Sequence, residues 1–210
     1  MATYSKEQIL HLEDRYRRNL INSLMGARPA VLIGTADAKG NTNLAVFSQL
    51  LHIGANPPLC GILFRPDSVD RHTLTNIRET SVFSINVLSA QYAEKVHQTS
   101  ARYGVDVSEF EAVGLEPEFT KSCVAPMVKQ AHIKAVCEMH EEIKIAINGT
   151  ILVIGAIKWI EIEDNCLRND GSIDHYARKS LAVCGLDDYG SLQQVARFGY
   201  AKPDRKPEKT

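Results

Sequence analysis

The sequence predicts a mainly β fold, a Greek-key barrel with peripheral helices. Three observations carry this expectation. Short apolar and β-branched segments alternate with turn chemistry from Ala30 to Phe64. A long apolar alternation begins at Ile133, meets Asn148-Gly149 and returns from Ile151 to Ile162, as a tight-turned hairpin would. Most strand candidates are joined by short turns or by one helix, with no internal repeat and no interdomain linker. Residues 1–210 therefore read as one domain, with its core at about 28–163.

Ser5-x-x-Gln8 is a capping box that opens a helix running to about Leu24, so residues 5–25 form an N-terminal helical extension. Ile9, Leu12, Tyr16, Leu20 and Leu24 recur at three- to four-residue spacing, which predicts docking on the body through one apolar stripe. Gly26 ends the helix, and Arg28-Pro29 starts extended chain. Val31 to Thr35 is the first strand, Asp37-Ala-Lys-Gly40 a turn, and Asn43 to Leu50 the second strand. Pro57-Pro58 breaks the pattern before a third strand, Leu59 to Phe64. A helix over about 70–79, a strand over Val82 to Val87 and a helix over about 90–98 follow. Residues 101–131 are irregular, with one helical turn near Ser108, and long enough for a functional or interface loop. Ile133, Ala135, Cys137, Met139, Ile143, Ile145 and Ile147 are expected on one face of a long strand. From 172 to 210 the pattern predicts a C-terminal helical extension, around Tyr176 to Val183 and again near Leu192 to Ala196.

Hydrophobic residues make up 44% and charged residues 23%, the composition of an ordinary globule. A net charge of −1 supplies no global attraction to nucleic acid or to an anionic membrane. The five cysteines are widely spaced with no C-x-x-C pair, which argues against a zinc site and a disulfide framework and for free thiols in a reducing cytoplasm. The N-terminus lacks the apolar core of a signal peptide, and no apolar run approaches the ~20 residues that span a bilayer. A cytosolic location is expected. Rossmann, P-loop and H-E-x-x-H motifs are absent, His132, His140 and His175 have no metal-ligand spacing, and no metal site is expected.

Two segments carry the functional reading. Asn43, Ala45 and Phe47 share one face of their strand, and Ala45 between two larger residues leaves room for a planar ring against the backbone of 43–48. Arg71-His72-Thr73 places a cation, a hydroxyl and free backbone N–H groups at a helix start, the chemistry that binds phosphate. Asn86 lies on the face opposite Phe83 and Ile85, where its carboxamide can make a cross-strand hydrogen bond.

The ordered set Asn43-Leu-Ala-Val-Phe47-Ser48, Asn56-Pro-Pro-Leu, Arg71-His-Thr73-Leu-x-Asn-Ile77 and Phe83-Ser-Ile-Asn86 resembles the flavin reductase-like family of FMN-binding split β-barrels, from about Arg28 to Ile160. The resemblance implies a homodimer with non-covalent FMN at the subunit contact, and electron transfer from a reduced donor, with NAD(P)H as the candidate, to free flavin or another acceptor. A non-catalytic FMN carrier or binding module on the same barrel is the alternative. The FMN residues implied are Asn43, Ala45, Phe47, Ser48, Gln49, Arg71, His72, Thr73 and Asn86, with Arg71, Thr73 and Ser48 on the phosphate and ribityl chain. No side chain is expected to act as general acid or base. Two departures stand out: Arg71-His72-Thr73 occupies the place of the family's Lys-Asp-Thr, and Asn148-Gly149-Thr150 the place where pyridine-nucleotide-using relatives carry Gly-Asp-His. The second puts NAD(P)H dependence in question and leaves FMN binding untouched. Gly185 to Tyr189 and Arg197 to Tyr200 resemble a C-terminal signature packed near the pocket mouth, where Tyr176 or Tyr189 would either stack on flavin or simply pack.

Overall fold

The computed structural model describes residues 1–120 and 123–209; Lys121 and Ser122, inside the irregular 101–131 segment, and Thr210 lie outside the described residues. A capping box at Ser5 opens α1 (Lys6–His11), with Gln8 N donating to Ser5 Oγ and Ser5 N to Gln8 Oε1. The single helix expected to Leu24 is in fact two. Leu12 is extended, and the Glu13 carboxylate accepts Arg15 N and Tyr16 N, starting α2 (Asp14–Ser23) anew. The Glu13 carboxylate there satisfies two of the first amides of the new helix, which have no intrahelical partner. Neither helix buries a residue, so the stripe expected to dock on the body does not.

The body is built from β1 (Ala27–Pro29), β2 (Val31–Ala36), β3 (Thr42–Phe47), β4 (Leu50–Ala55), β5 (Pro58–Phe64), α3 (His72–Thr80) and β6 (Val82–Val87). A 3-10 turn at Ala90–Tyr92, α4 (Ala93–Gln98) and α5 (Glu109–Val113) follow, then β7 (Pro117–Glu118), β8 (Met127–Val128), β9 (Ile133–Ile145) and β10 (Thr150–Ile162). The segment expected as one strand from Asn43 to Leu50 bends at Ser48-Gln49 and divides into β3 and β4. Pro58 starts β5 rather than interrupting it, as a strand's first residue can.

Seven antiparallel strands run in the order β3-β2-β6-β9-β10-β5-β4. The two edge strands, β3 and β4, are consecutive in sequence, so the corner at Ser48-Gln49 links the ends of the sheet. Gln49 O accepts Leu63 N of β5 at 3.1 Å, tying that corner to the far side. Alternate residues of β2 enter two cores, which is why all six are buried. Val31 and Ile33 face the interior with Ile62, Phe64, Phe83 and Val153. Leu32 faces outward with Leu44, Leu88, Val96 and Phe110, beneath α4 and α5.

Register shifts at Ile154/Gly155 and Ile157/Trp159 kink β10 against β9. Gly155 is needed there, because a Cβ would stand 2.5 Å from Phe83 Cζ. These shifts also break the single-face expectation for β9: Cys137 is fully buried, while Ile143 and Ile145 are 39% and 36% exposed.

The C-terminal helical extension is overturned. Leu181–Cys184 is β11 and Asp188–Ser191 is β12, joined at the left-handed Gly185, and β11 pairs with β1. Residues 192–196 are neither helix nor strand. Leu181 N donates to Leu88 O and Ala30 N to Leu181 O, so partners already in place override a helix-favouring local sequence. Among the described residues no helix is long and apolar enough to cross a membrane.

Candidate functional site

Helix α3 begins without a side-chain cap. Arg71 is its N-cap residue, its first turn holds no acidic side chain, and the amides of His72, Thr73 and Leu74 have no intrahelical partner. Arg71 is half-buried and its Nε donates to Pro66 O at 3.2 Å. Desolvation, and then the charges of Arg65 and Arg102, hold its guanidinium below the ordinary value. Among the described residues none of these three arginines is ion-paired. The other end of the same helix differs. Arg78 meets both oxygens of Glu142 at 2.9 and 2.6 Å, with Asp67 at 3.3 Å, and is held above its usual value. One end is neutralised; the other presents uncompensated positive charge and free amides, the arrangement that takes an anion.

The helix start is fixed to the barrel by a buried polar network. Asn43 Nδ2 donates to Thr73 Oγ1 at 3.0 Å and to Thr35 Oγ1 at 3.3 Å, and Asn76 Nδ2 donates to Thr35 Oγ1 at 3.2 Å. Asn43 and Thr73 are 7% and 5% exposed, so these two side chains chiefly set the helix against β3. His72 is half-buried at the first helical position.

Strand β3 is an edge. Leu44 N points away from β2 and is taken at 2.9 Å by Glu109 Oε2, a carboxylate on a residue only 6% exposed. By the period-two alternation of a ladder, Val46 also turns its N–H and C=O outward, and among the described residues no helix bonds to them. Ala45 pairs with Ile33 and Phe47 with Val31, both half-buried, and Phe47 meets Phe64 edge-on at 5.0 Å. Ser48 and Gln49 form the half-buried corner beyond. The hairpin tip joins the same neighbourhood, since Pro66 Cβ lies 3.7 Å from where a Gly149 side chain would begin. The Asn148 carboxamide is occupied there by Thr150 N and Oγ1.

Asn86 stands apart. It is fully buried, its Nδ2 donates to Leu32 O and Ser84 Oγ, and its Oδ1 accepts Val128 N. The cross-strand hydrogen bond is therefore its role, and the expectation that it touches cofactor is corrected. Tyr189 packs edge-on against His97 over the helical core, and Tyr176 is 38% exposed. Arg65, Arg102 and Glu109 escaped the sequence reading. The arginines carry no local motif, and Glu109 showed only as a short helical turn. An open cleft of about 500 Å³ lies elsewhere, along Ala131-His132 and Glu161 to Asn165.

A flat ring against an open strand edge, with a phosphate at the α3 start, suits these residues: donors and acceptors at the edge, a small side chain at 45, and unpaired cations beyond. FMN has that shape and charge. The flavin reductase like domain matches residues 25–180. A split-barrel protein of Shewanella frigidimarina NCIMB 400, proposed to be a flavin reductase, is 46% identical, with a TM-score of 0.92 over 96% of this chain and 100% of that one. Nitrilotriacetate monooxygenase component B from Bacillus cereus shares the fold, with a TM-score of 0.81 over 92% of this chain and 96% of that one, at 21% identity. An uncharacterised Aquifex aeolicus protein is 27% identical over 87% of this chain and 91% of its own length. With its sequence matched over most of its length and its split barrel intact, the chain belongs to the flavin reductase-like domain family.

Proposed function

We propose that this chain, as one split-barrel unit, holds FMN non-covalently and passes electrons from a reduced donor to free flavin or another acceptor. The observation that carries the reading is the outward edge of β3 at Val46 beside an uncapped α3 whose Arg71, among the described residues, has no carboxylate partner. Bound FMN supplies hydride and single-electron chemistry at its ring. The chain's own tasks are to bind and orient. The outward groups of Val46 and the Ser48-Gln49 corner address the polar rim of the ring, and Ala45 admits it. Arg71 and the amides of 72–74 take the phosphate, while Asn43 and Thr73 hold that helix start in register. The proposal assigns no side chain the role of general acid or base.

A homodimer belongs to the proposal. The outer face of β2, β3 and β6 is covered by α4 and α5. On β4, β5 and β10 the outer face is apolar and bare, with Leu51 and Ile53 42% and 41% exposed. A cytosolic setting fits the five free thiols.

The purified protein should be yellow with a flavin spectrum, and anaerobic NADH or NADPH should bleach it. A colourless protein that takes up no added FMN would remove the proposal. A second reading, an FMN carrier without pyridine-nucleotide activity, is favoured by one feature: the hairpin tip Asn148-Gly149-Thr150 offers no histidine. Bound FMN that dithionite reduces and neither nucleotide reduces would select it.

A further inference from the structure

Helices α1 and α2 form an arm in which Ile9, Leu12 and Leu20 are half-buried and no residue is fully buried. Leu10, Tyr16, Ile21 and Leu24 are 61%, 51%, 43% and 66% exposed. Tyr16, Leu20 and Leu24 recur every fourth residue, so the apolar side chains share one face of α2. Helices of six and ten residues are marginal in water unless a face is packed. The arm's polar contacts set its shape and leave that face open. Arg17 Nη1 donates to Leu10 O at 2.8 Å and Leu12 O at 3.3 Å, and the Tyr4 and Tyr16 hydroxyls meet at 2.9 Å. At its root Arg28 Nη2 donates to Asn22 O at 3.1 Å and to Gly185 O at 2.6 Å.

The same chain carries a second uncovered apolar surface, the outer face of β4-β5-β10-β9. Leu152 stands opposite Leu63 on one side and Ile143 on the other, while Ile154 stands opposite Gly61 and Glu141. Gly61 lets its neighbours close up: a Cβ there would lie 3.1 Å from Leu152 Cδ1 and 3.2 Å from Ile53 Cδ1. The result is one contiguous patch. Charge matches at the rim. Among the described residues Arg15 and Arg18 on α2 have no ion pair, and neither has Glu141 at the edge of the patch.

We infer that the arm of a second copy of this chain covers the patch, the two arms being exchanged across a two-fold axis. Such an isologous contact covers both bare surfaces twice over, and Arg15 and Arg18 against the partner's Glu141 set the direction of the arm. The inference rests on the dimer proposed above and adds what builds it.

The test places p-benzoylphenylalanine at Tyr16 in the full-length chain, mixes isotope-labelled and unlabelled protein, and irradiates at micromolar concentration with sedimentation run in parallel. The expected result is a dimer whose adducts join two chains and map to residues 50–63 or 141–154. A dimer with adducts only within one chain, or to other segments of the partner, or with none, overturns the exchanged arm and leaves the dimer standing. A monomer overturns both. The flavin spectrum of the same sample reports separately on cofactor binding.

Discussion

Arg71 and Asn86 show how two polar residues near one strand edge divide ligand work from structural work. Among the described residues Arg71 has one hydrogen bond to a backbone carbonyl, two like charges nearby and no counter-charge. That is unfavourable for the empty protein and favourable once an anion arrives. Arg71→Ala should therefore weaken FMN by about 1.5–3 kcal/mol, roughly ten- to a hundredfold in Kd, with riboflavin affinity unchanged and the Tm of the empty protein no lower. Fluorescence titration with both ligands checks it; equal losses for FMN and riboflavin would remove Arg71 from the phosphate. Asn86 is the opposite case. Removing its carboxamide strands the Val128 amide inside the protein and removes the side-chain bond to Leu32 O. Asn86→Ala should cost about 2–4 kcal/mol in urea unfolding. The folded fraction should still bind FMN at wild-type affinity, and a selective loss of FMN would return Asn86 to the site.

Among the elements, β10 shows what a kinked strand demands. Gly155 lies at a register shift with the Phe83 ring against its Cα, and Phe83 is fully buried. Gly155→Ala should destabilise by about 1–3 kcal/mol through overpacking. Phe83→Leu in the same chain should recover part of that loss, a non-additivity that a double-mutant cycle measures. Additive losses would mean the ring is not what the methyl meets. The elements also show which features a sequence announces. The strand over Val82 to Val87 was legible to the residue because β-branched and aromatic side chains alternate with Ser84 and Asn86 directly after the polar stretch Arg78 to Ser81. The corner at Ser48-Gln49 was not, having no glycine or proline to mark it, so β3 and β4 read as one strand. Leu181 to Cys184 read as helix because Ala-Arg-Lys-Ser-Leu-Ala favours one locally, whereas Leu88 and Pro29 decide the matter from far away in the chain. The candidate site divides the same way. Arg71 announced itself as a cation before a helix, while Arg65, Arg102 and Glu109 reach the site from separate segments that only folding brings together. Asn86 stayed open between two roles because only the position of Val128 chooses between them.

In the whole molecule, the C-terminal segment is fastened across the barrel by a polar cluster whose charge state follows pH. Ser180 Oγ lies 2.9 Å from His132 Nε2 and 3.0 Å from His175 Nδ1. One hydroxyl donates once, so with both rings neutral one imidazole accepts its proton and the other donates to its lone pair. Burial, the largest influence, holds both rings below the ordinary value of 6.5. At His132 Glu163 opposes that shift while Arg178 and His175 add to it; at His175 Asp174 opposes it and Arg168 adds. Below about 6.5 the unfolded chain therefore binds more protons at these positions than the folded one, and stability rises with pH. The contribution is complete above the unfolded value and is lost as pH falls through the lower folded values. Urea midpoints should hold steady from about pH 8 to 7 and fall toward about pH 5, above the range where most carboxylates titrate. His132→Gln with His175→Gln should flatten that slope while lowering stability at neutral pH, because the packing around Ser180 changes but no proton is taken up there. An undiminished slope in the double variant would place the acid sensitivity elsewhere in the chain.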